Sequence, residues 1–209
     1  MNEKFFSLPE EKQLQIINAA TEVFAKYDYK HASTDLIASK AGISKGLLFY
    51  YFHNKKELYL YLFTYLTQII TQQVVDNDFT KITDFFELLE YSANKKAEIL
   101  QKNPYVLDFA VKSFYSEKEE VSDKLQDLNY GQQDAIFQQY LGHVDTFKFK
   151  DNCNFYDIFK MLVWMTDGYL HELRVMKKTL DVAELKAEFH KWVTMFRKLF
   201  YKEEYLWKI

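Results

Sequence analysis

Ser44, Lys45 and Gly46 stand together in this chain, four aromatics follow without a break from Phe49 to Phe52, and a lysine pair comes next at Lys55 and Lys56. Groups of these types suit the holding of an anion rather than the making or breaking of a bond. A serine opening a helix, with the unpaired backbone N–H groups of the first turn, can donate to a phosphate oxygen. Lys45 adds a mobile positive charge for a phosphate or a base edge. Gly46 removes a side chain, so backbone can approach that phosphate, at a cost of ~1 kcal/mol in helix propensity. Leu47, on the exposed side, can meet a thymine methyl in a major groove.

No second set of residues offers catalysis. The five histidines (31, 53, 143, 171 and 190) have no HExxH or similar metal-ligand spacing. Asp167 and His171 lie four apart, on one face of a helix, and read as a local ion pair or a solvated face rather than as metal ligands. Cys153 stands in a loop without a histidine near it in sequence. GxSxG, Walker and GxGxxG patterns are missing. The sequence therefore predicts no catalytic residue, no bound metal, no cofactor and no enzymatic activity.

The elements that would carry the first group are legible from punctuation. Ser7-Leu-Pro-Glu10 has the form of a capping box, and Leu14, Ile17, Ala20, Phe24 and Tyr27 recur at helical spacing, which predicts a first helix over 8–27. Ser33 or Thr34 caps a short second helix, DLIASKA. Gly42 ends it in the left-handed conformation, Ser44 caps again, and a two-turn third helix covers Lys45 to Phe52. His53-Asn54 breaks that helix, and a longer one runs from about Lys55 to Val75. On the third helix Leu48, Tyr51 and Phe52 form an i, i+3, i+4 face for packing on the first two, leaving Phe49 and Tyr50 to point outward. Two short helices joined by a glycine turn and braced by a longer one describe a helix-turn-helix.

Composition sets the frame. With five glycines and two prolines in 209 residues there is little material for hairpins, and the expected fold class is all-α. Residues 1–56 carry eight lysines against six acids, +2, so the remainder carries −5 of the overall −3. A lone cysteine excludes an internal disulfide and, with no apolar leader segment at the start, points to a reducing cytoplasm. The uncharged run Leu58–Val75 holds three threonines and three glutamines, too polar for a lipid-spanning helix, so no membrane association is expected. Further helices are predicted from Asp78 or Thr80 to about Lys102, from Pro104 to Phe114, from a cap at Ser116 to about Leu141, over 155–178, and over 182–205 with Asp181 as cap.

Residues 12–60 resemble the TetR family of bacterial transcriptional regulators. The stretch AGISKGLLFYYFHNKKEL is similar to that family's pattern of turn glycine, cap serine, KG, aromatic cluster and lysine at set spacing. The resemblance implies an N-terminal helix-turn-helix DNA-binding domain over 1–54 and a larger helical effector-binding and dimerisation domain over 55–209. It implies DNA contacts from Thr34, Ser44, Lys45, Gly46, Leu47, Phe49, Tyr50 and Lys55. Phe49 stands where the family usually has tyrosine, and Leu47 where Thr, Ser or Asn is common. The implied function is a regulator, chiefly a repressor, released from a near-palindromic double-stranded DNA operator when a small apolar or aromatic effector binds. The competing class is a helical protein-interaction module that keeps the fold without sequence-specific DNA binding.

The rest of the chain gives weaker signals. Aromatics are abundant in its middle, and Tyr91, Phe109, Phe114, Phe137 and Trp164 are candidates to line an effector cavity, with Gln133, Asp167 and His171 as polar anchors. The helix over 155–178 is apolar on two sides. One carries Phe155, Ile158, Phe159, Leu162, Tyr169 and Leu173, and the other Met161, Trp164, Met165 and Val175. A helix of that kind suits a position between its own core and a second copy. Phe155, Phe159, Leu162, Gly168, Tyr169, Phe189, Trp192 and Phe196 are the expected homodimer interface, with Gly168 allowing close approach.

Overall fold

A computed structural model of the chain describes residues 3–116, 119–130, 137 and 140–206. Among these residues there are nine α-helices and no strand, only an isolated antiparallel bridge between Phe149 and Tyr201. The helices are α1 (Glu10–Lys26), α2 (Thr34–Lys40), α3 (Lys45–Phe52), α4 (Lys55–Val74), α5 (Phe85–Lys102), α6 (Pro104–Phe114), α7 (Ser122–Tyr130), α8 (Phe155–Val175) and α9 (Val182–Phe200). They form two compact units, one from residues within 1–71 and 102–136, the other from residues within 72–101 and 137–209. The boundary expected at residue 54 divides tasks. These units divide packing, and they join α6 and α7 to the head.

In the first unit α1 buries Ile16, Ile17, Ala20, Val23 and Phe24, the stripe that a 3.6-residue period demands. Its start differs from the capping box expected at Ser7. The Ser7 hydroxyl donates back to the Lys4 carbonyl at 2.9 Å, and α1 begins at Glu10 with no side-chain cap. The cause is a 3-10 turn at Glu3–Phe5 that folds the chain under the head. It buries Phe5 completely, with its ring centroid 4.7 Å from that of Phe52 and 5.5 Å from that of Tyr61. Deeper in, the Tyr59 ring lies 4.8 Å from Phe24 and 4.9 Å from Phe109. Its hydroxyl pairs with the Ser113 hydroxyl at 2.9 Å, and burial pushes the phenol up to about 12. Lys112 donates to the Ala25 carbonyl, closing the α1–α6 contact.

The second unit is organised around one buried carboxylate. A helix was expected to open at Asp78 or Thr80, but Phe79–Lys81 is a 3-10 turn and α5 starts at Phe85. Asp84 is the cap: its Oδ1 accepts from the backbone N–H of Phe86 at 3.1 Å and of Glu87 at 3.0 Å. The same carboxylate meets Lys148 Nζ at 2.8 Å and Arg197 Nη2 at 2.8 Å. In the same unit Phe85, Phe86, Phe149 and Tyr201 pack on one another edge to face.

Three other ends depart from the sequence reading. α7 starts at Ser122 rather than near Ser116, because the Glu119 backbone N–H and the Ser116 hydroxyl both bond to the Ser122 hydroxyl, at 3.0 and 3.1 Å. α8 stops at Val175, where Lys177 takes φ +54°. α9 stops at Phe200, because Tyr201 is extended and Lys150 and Lys202 bond across the bridge to the Phe200 and Lys148 carbonyls. Asp181 caps α9 as expected, accepting from the backbone N–H of Ala183 at 2.7 Å. No helix of the described residues is long and apolar enough to cross a membrane.

Candidate nucleic-acid interface

The turn between α2 and α3 is built from three local features. Ser33 caps α2, accepting from the Leu36 N–H at 3.4 Å, which leaves Thr34 as the first helical residue. Gly42 takes φ +64°, a conformation that a side chain would strain. Ser44 caps α3, its Oγ accepting from the Leu47 N–H at 3.1 Å, and its own O–H remains free to donate outward. His53, at φ +58°, ends α3, and Asn54 caps α4 through the Glu57 N–H at 2.8 Å.

Two turns of α3 divide cleanly. Leu48 and Phe52 are fully buried and Tyr51 nearly so. Lys45, Gly46, Leu47 and Tyr50 face solvent, Tyr50 at 51% exposure, and Phe49 is half-buried. A Cβ built on Gly46 would meet only Ser44 Oγ, 3.9 Å away, so no packing inside the protein requires glycine there. Thr34, Ser44, Lys45, Gly46, Leu47, Phe49 and Tyr50 thus all belong to the α2 start and to α3. Lys55 differs. Its ammonium donates to the Lys30 carbonyl at 3.2 Å and sits 4.8 Å from the Tyr29 ring centre, and burial pushes it below the ordinary lysine value.

Charge on this head is locally balanced. Lys45 pairs with Asp35 at 2.8 Å, Lys40 with Glu22 at 3.1 Å, and Lys56 lies 3.9 Å from Glu120. Sequence reasoning missed Asp35, although it stands next to Thr34 and offers the carboxylate that Lys45 meets.

The expected effector residues are divided between the two units. Phe109 and Phe114 belong to the first unit, and Tyr91, Phe137, Trp164, Asp167 and His171 to the second; Gln133 lies outside the described residues. Phe109 is buried against Tyr59, and Phe137 against Phe155, Tyr156 and Phe159. Tyr91 donates to the Asp76 carboxylate, 2.7 and 2.6 Å from its two oxygens, and this bond with the Phe79 N–H and Lys95 holds that carboxyl well below its usual range. Trp164 is 62% exposed. Glu90, Ala93, Asn94, Lys186, Phe189 and His190 line a groove of about 490 Å³ between α5 and α9. Among the described residues no cluster of three or more His, Cys, Asp or Glu could hold a metal ion.

The two apolar sides of α8 sort themselves in the same way. Ile158 and Leu162 are buried, and the Phe155 and Phe159 rings pack on Phe137 within the unit. Tyr169 and Phe189 meet Trp192, and Phe196 is buried on α9. The side left open carries Trp164, Gly168 and Val175, with Met195 and Leu199 exposed on α9. Of the expected dimer residues, only Gly168 lies on this open side, and nothing stands within 4 Å of a Cβ built there.

An all-α chain with a capped, outward-facing α3 after a glycine turn is a helix-turn-helix protein. Residues 16–62 match the family model for bacterial regulatory proteins of the tetR family. The fatty acid metabolism regulator protein of Bacillus subtilis (strain 168) is 30% identical over 96 residues, 46% of this chain and 42% of that one. The HTH-type transcriptional activator FasR of Mycolicibacterium smegmatis is 40% identical over 68 residues, 32% of this chain and 27% of that one. The chain thus spans less than half the length of the curated relatives it matches. In fold it is similar to the transcriptional regulator FadR from Bacillus subtilis, solved in complex with stearoyl-CoA, with TM-score 0.63, 20% identity, and 86% of this chain and 96% of that one covered. Residues 16–62 thus carry the segment that the tetR-family model describes, and over most of its length the chain is similar in fold to solved regulators of that family.

Proposed function

We propose that the chain is a one-component regulator that acts in the cytoplasm, binding a near-palindromic operator as a homodimer and repressing transcription until an effector releases it. The observation that carries this reading is the outer face of α3, where Gly46 stands with open space around it between the capping Ser44 and the exposed Leu47 and Tyr50. Thr34 and Phe49 flank that face, and Lys55 turns from Lys30 to a phosphate when DNA arrives. A dimer of such heads spaces two α3 helices by one DNA turn, ~34 Å. Binding to the DNA upstream of its own gene, followed by anisotropy between 50 and 300 mM salt, is expected to weaken steeply. A slope of roughly −0.9 per phosphate contact is expected in log–log form. A flat slope would favour the interaction module, a reading to which the internally paired lysines lend their one support.

The partner that completes the molecule is a second copy laid on the open side of α8 and α9. Trp164 and Val175 on α8 and Met195 and Leu199 on α9 are apolar side chains left exposed for a partner to cover, and Gly168 leaves room for backbone to come close. Trp164→Glu is expected to convert the dimer to monomers at about 10 µM, read by sedimentation velocity, and to lower operator affinity at least about 100-fold by unlinking the heads. An unchanged dimer would move the interface elsewhere.

The effector class follows from the relatives. A fatty acid metabolism regulator and a FadR solved with stearoyl-CoA are both similar to this chain, which supports a long-chain acyl compound as the releasing ligand. α4 runs unbroken from Lys55 to Val74, so a ligand that shifts its far end displaces the head-proximal end as well. A coupling of ~1–3 kcal/mol suffices for a switch.

A further inference from the structure

We infer that the inward side of α5 borders a cavity for a long-chain carboxylic acid, with the Lys96 ammonium as the group that holds the carboxylate. The inference rests on the acyl-effector reading above and deepens it, since it selects the free acid over its esters and thioesters. At about 3.6 residues to a turn, Glu87, Asn94, Glu98 and Gln101 share one side of α5, and Phe85, Leu89, Ser92 and Lys96 share the opposite one. Glu87, Glu98 and Gln101 face solvent, whereas Phe85 and Leu89 are buried. Ser92 is half-buried and turns its hydroxyl back to the Leu88 carbonyl at 2.8 Å. Lys96 therefore stands in the middle of the apolar side, with the half-buried Ile99 and Leu100 on the turn beyond it.

A lysine that served only to solubilise the helix would lie with Glu87 and Glu98. Lys96 keeps exposed surface on the inward side instead, so a space large enough for water adjoins it there. Protein surrounds that space, because burial pushes the ammonium below the ordinary lysine value. No carboxylate offsets the burial, and among the described residues no hydrogen bond or ion pair satisfies the ammonium. The adjacent Lys95 shows the contrast: it pairs with Asp76 at 3.1 Å and lies over the Tyr91 ring. A desolvated cation without a partner costs stability. An anion entering the same space removes that cost through a charge-assisted hydrogen bond. The neighbours of Lys96 choose the anion. Leu89, Ile99 and Leu100 offer hydrocarbon beside one positive charge, which suits one carboxylate on an apolar chain. A coenzyme A thioester ends its acyl chain in a neutral carbonyl, and its phosphates call for several cations where this side of α5 supplies one.

The test uses the full chain and competition with Nile red, a neutral probe, by palmitate, methyl palmitate and palmitoyl-CoA. Wild-type protein is expected to bind palmitate at least about tenfold more tightly than its methyl ester, the range of one charge-assisted bond. Lys96→Met should bring palmitate down to the level of the ester while the ester changes less than about twofold. Lys95→Met removes the same charge beside Asp76 and should keep the preference for the acid. Melting curves by circular dichroism establish that each variant is folded, and the wild-type preference decides the matter should Lys96→Met fail to fold. A wild type without preference for the acid would overturn the inference. So would a Lys96→Met protein that keeps the preference, or a Lys95→Met protein that loses it equally. Competition by palmitoyl-CoA and not by palmitate would overturn it too, yet leave the acyl-effector reading standing. Competition by none of the three would end both, with DNA binding judged separately by its salt slope.

Discussion

Gly46→Ala is expected to give a protein that melts higher and binds DNA worse. Glycine inside a helix costs up to ~1 kcal/mol relative to alanine, and α3 is only eight residues long, so the gain is felt. Nothing in the protein resists the change, since the added methyl would touch only Ser44 Oγ at 3.9 Å. Outside the protein the methyl occupies the space that a phosphate or base edge would take. A tenfold loss per head, ~1.4 kcal/mol, becomes about a hundredfold in a two-headed complex. Thermal melting and anisotropy on the same samples read the two effects separately. A raised melting point with unchanged affinity would mean that no duplex approaches this turn.

Asp84→Ala is expected to be the most destabilising single change in the second unit. Asp84 is 5% exposed and serves as helix cap, partner of Lys148 and partner of Arg197 at once. Removing the carboxylate takes a partner from Lys148 and from Arg197, which keeps only Glu87 at 3.3 Å, and costs about 3 kcal/mol. Burial alone would raise the carboxyl, but Lys148, the Glu87 N–H and Arg197 outweigh it and hold Asp84 below its ordinary value. A folded-state value below the unfolded one means that this stability is present above the unfolded pKa, ~3.9. It is lost as pH falls through the folded value. Urea unfolding of wild type should therefore weaken from about pH 4 downward, while Asp84→Asn, less stable at pH 7, should show a flatter acid limb. Parallel acid limbs would show that the carboxylate carries no such linkage.

Much of the head was legible because its instructions are short-range. Gly42 and Ser44, like Asp181 in the second unit, act on residues within four positions, and a glycine turn or a capping side chain needs no distant partner to be read. The inner face of α3 was legible for the same reason, since i, i+3, i+4 periodicity named Leu48, Tyr51 and Phe52. Ser7 misled because the capping pattern was present while the 3-10 turn at Glu3–Phe5 drew its hydroxyl back to Lys4. Asp84 was readable in principle, with Glu87 three residues on, but nothing local announced Lys148 or Arg197. For α8 the sequence displayed two apolar sides and no rule for which turns inward. That choice depends on Phe137 and Phe149, residues distant in sequence or on other segments.

Phe5 imposes an order of assembly. It is made well before its neighbours Tyr51, Phe52 and Tyr61. Until about residue 61 has emerged, the underside of α3 has no floor, and the nascent head carries an apolar ring with nowhere to settle. The stretch just beyond Lys55 therefore belongs to the timing of the DNA-reading surface as much as to the helix that follows it.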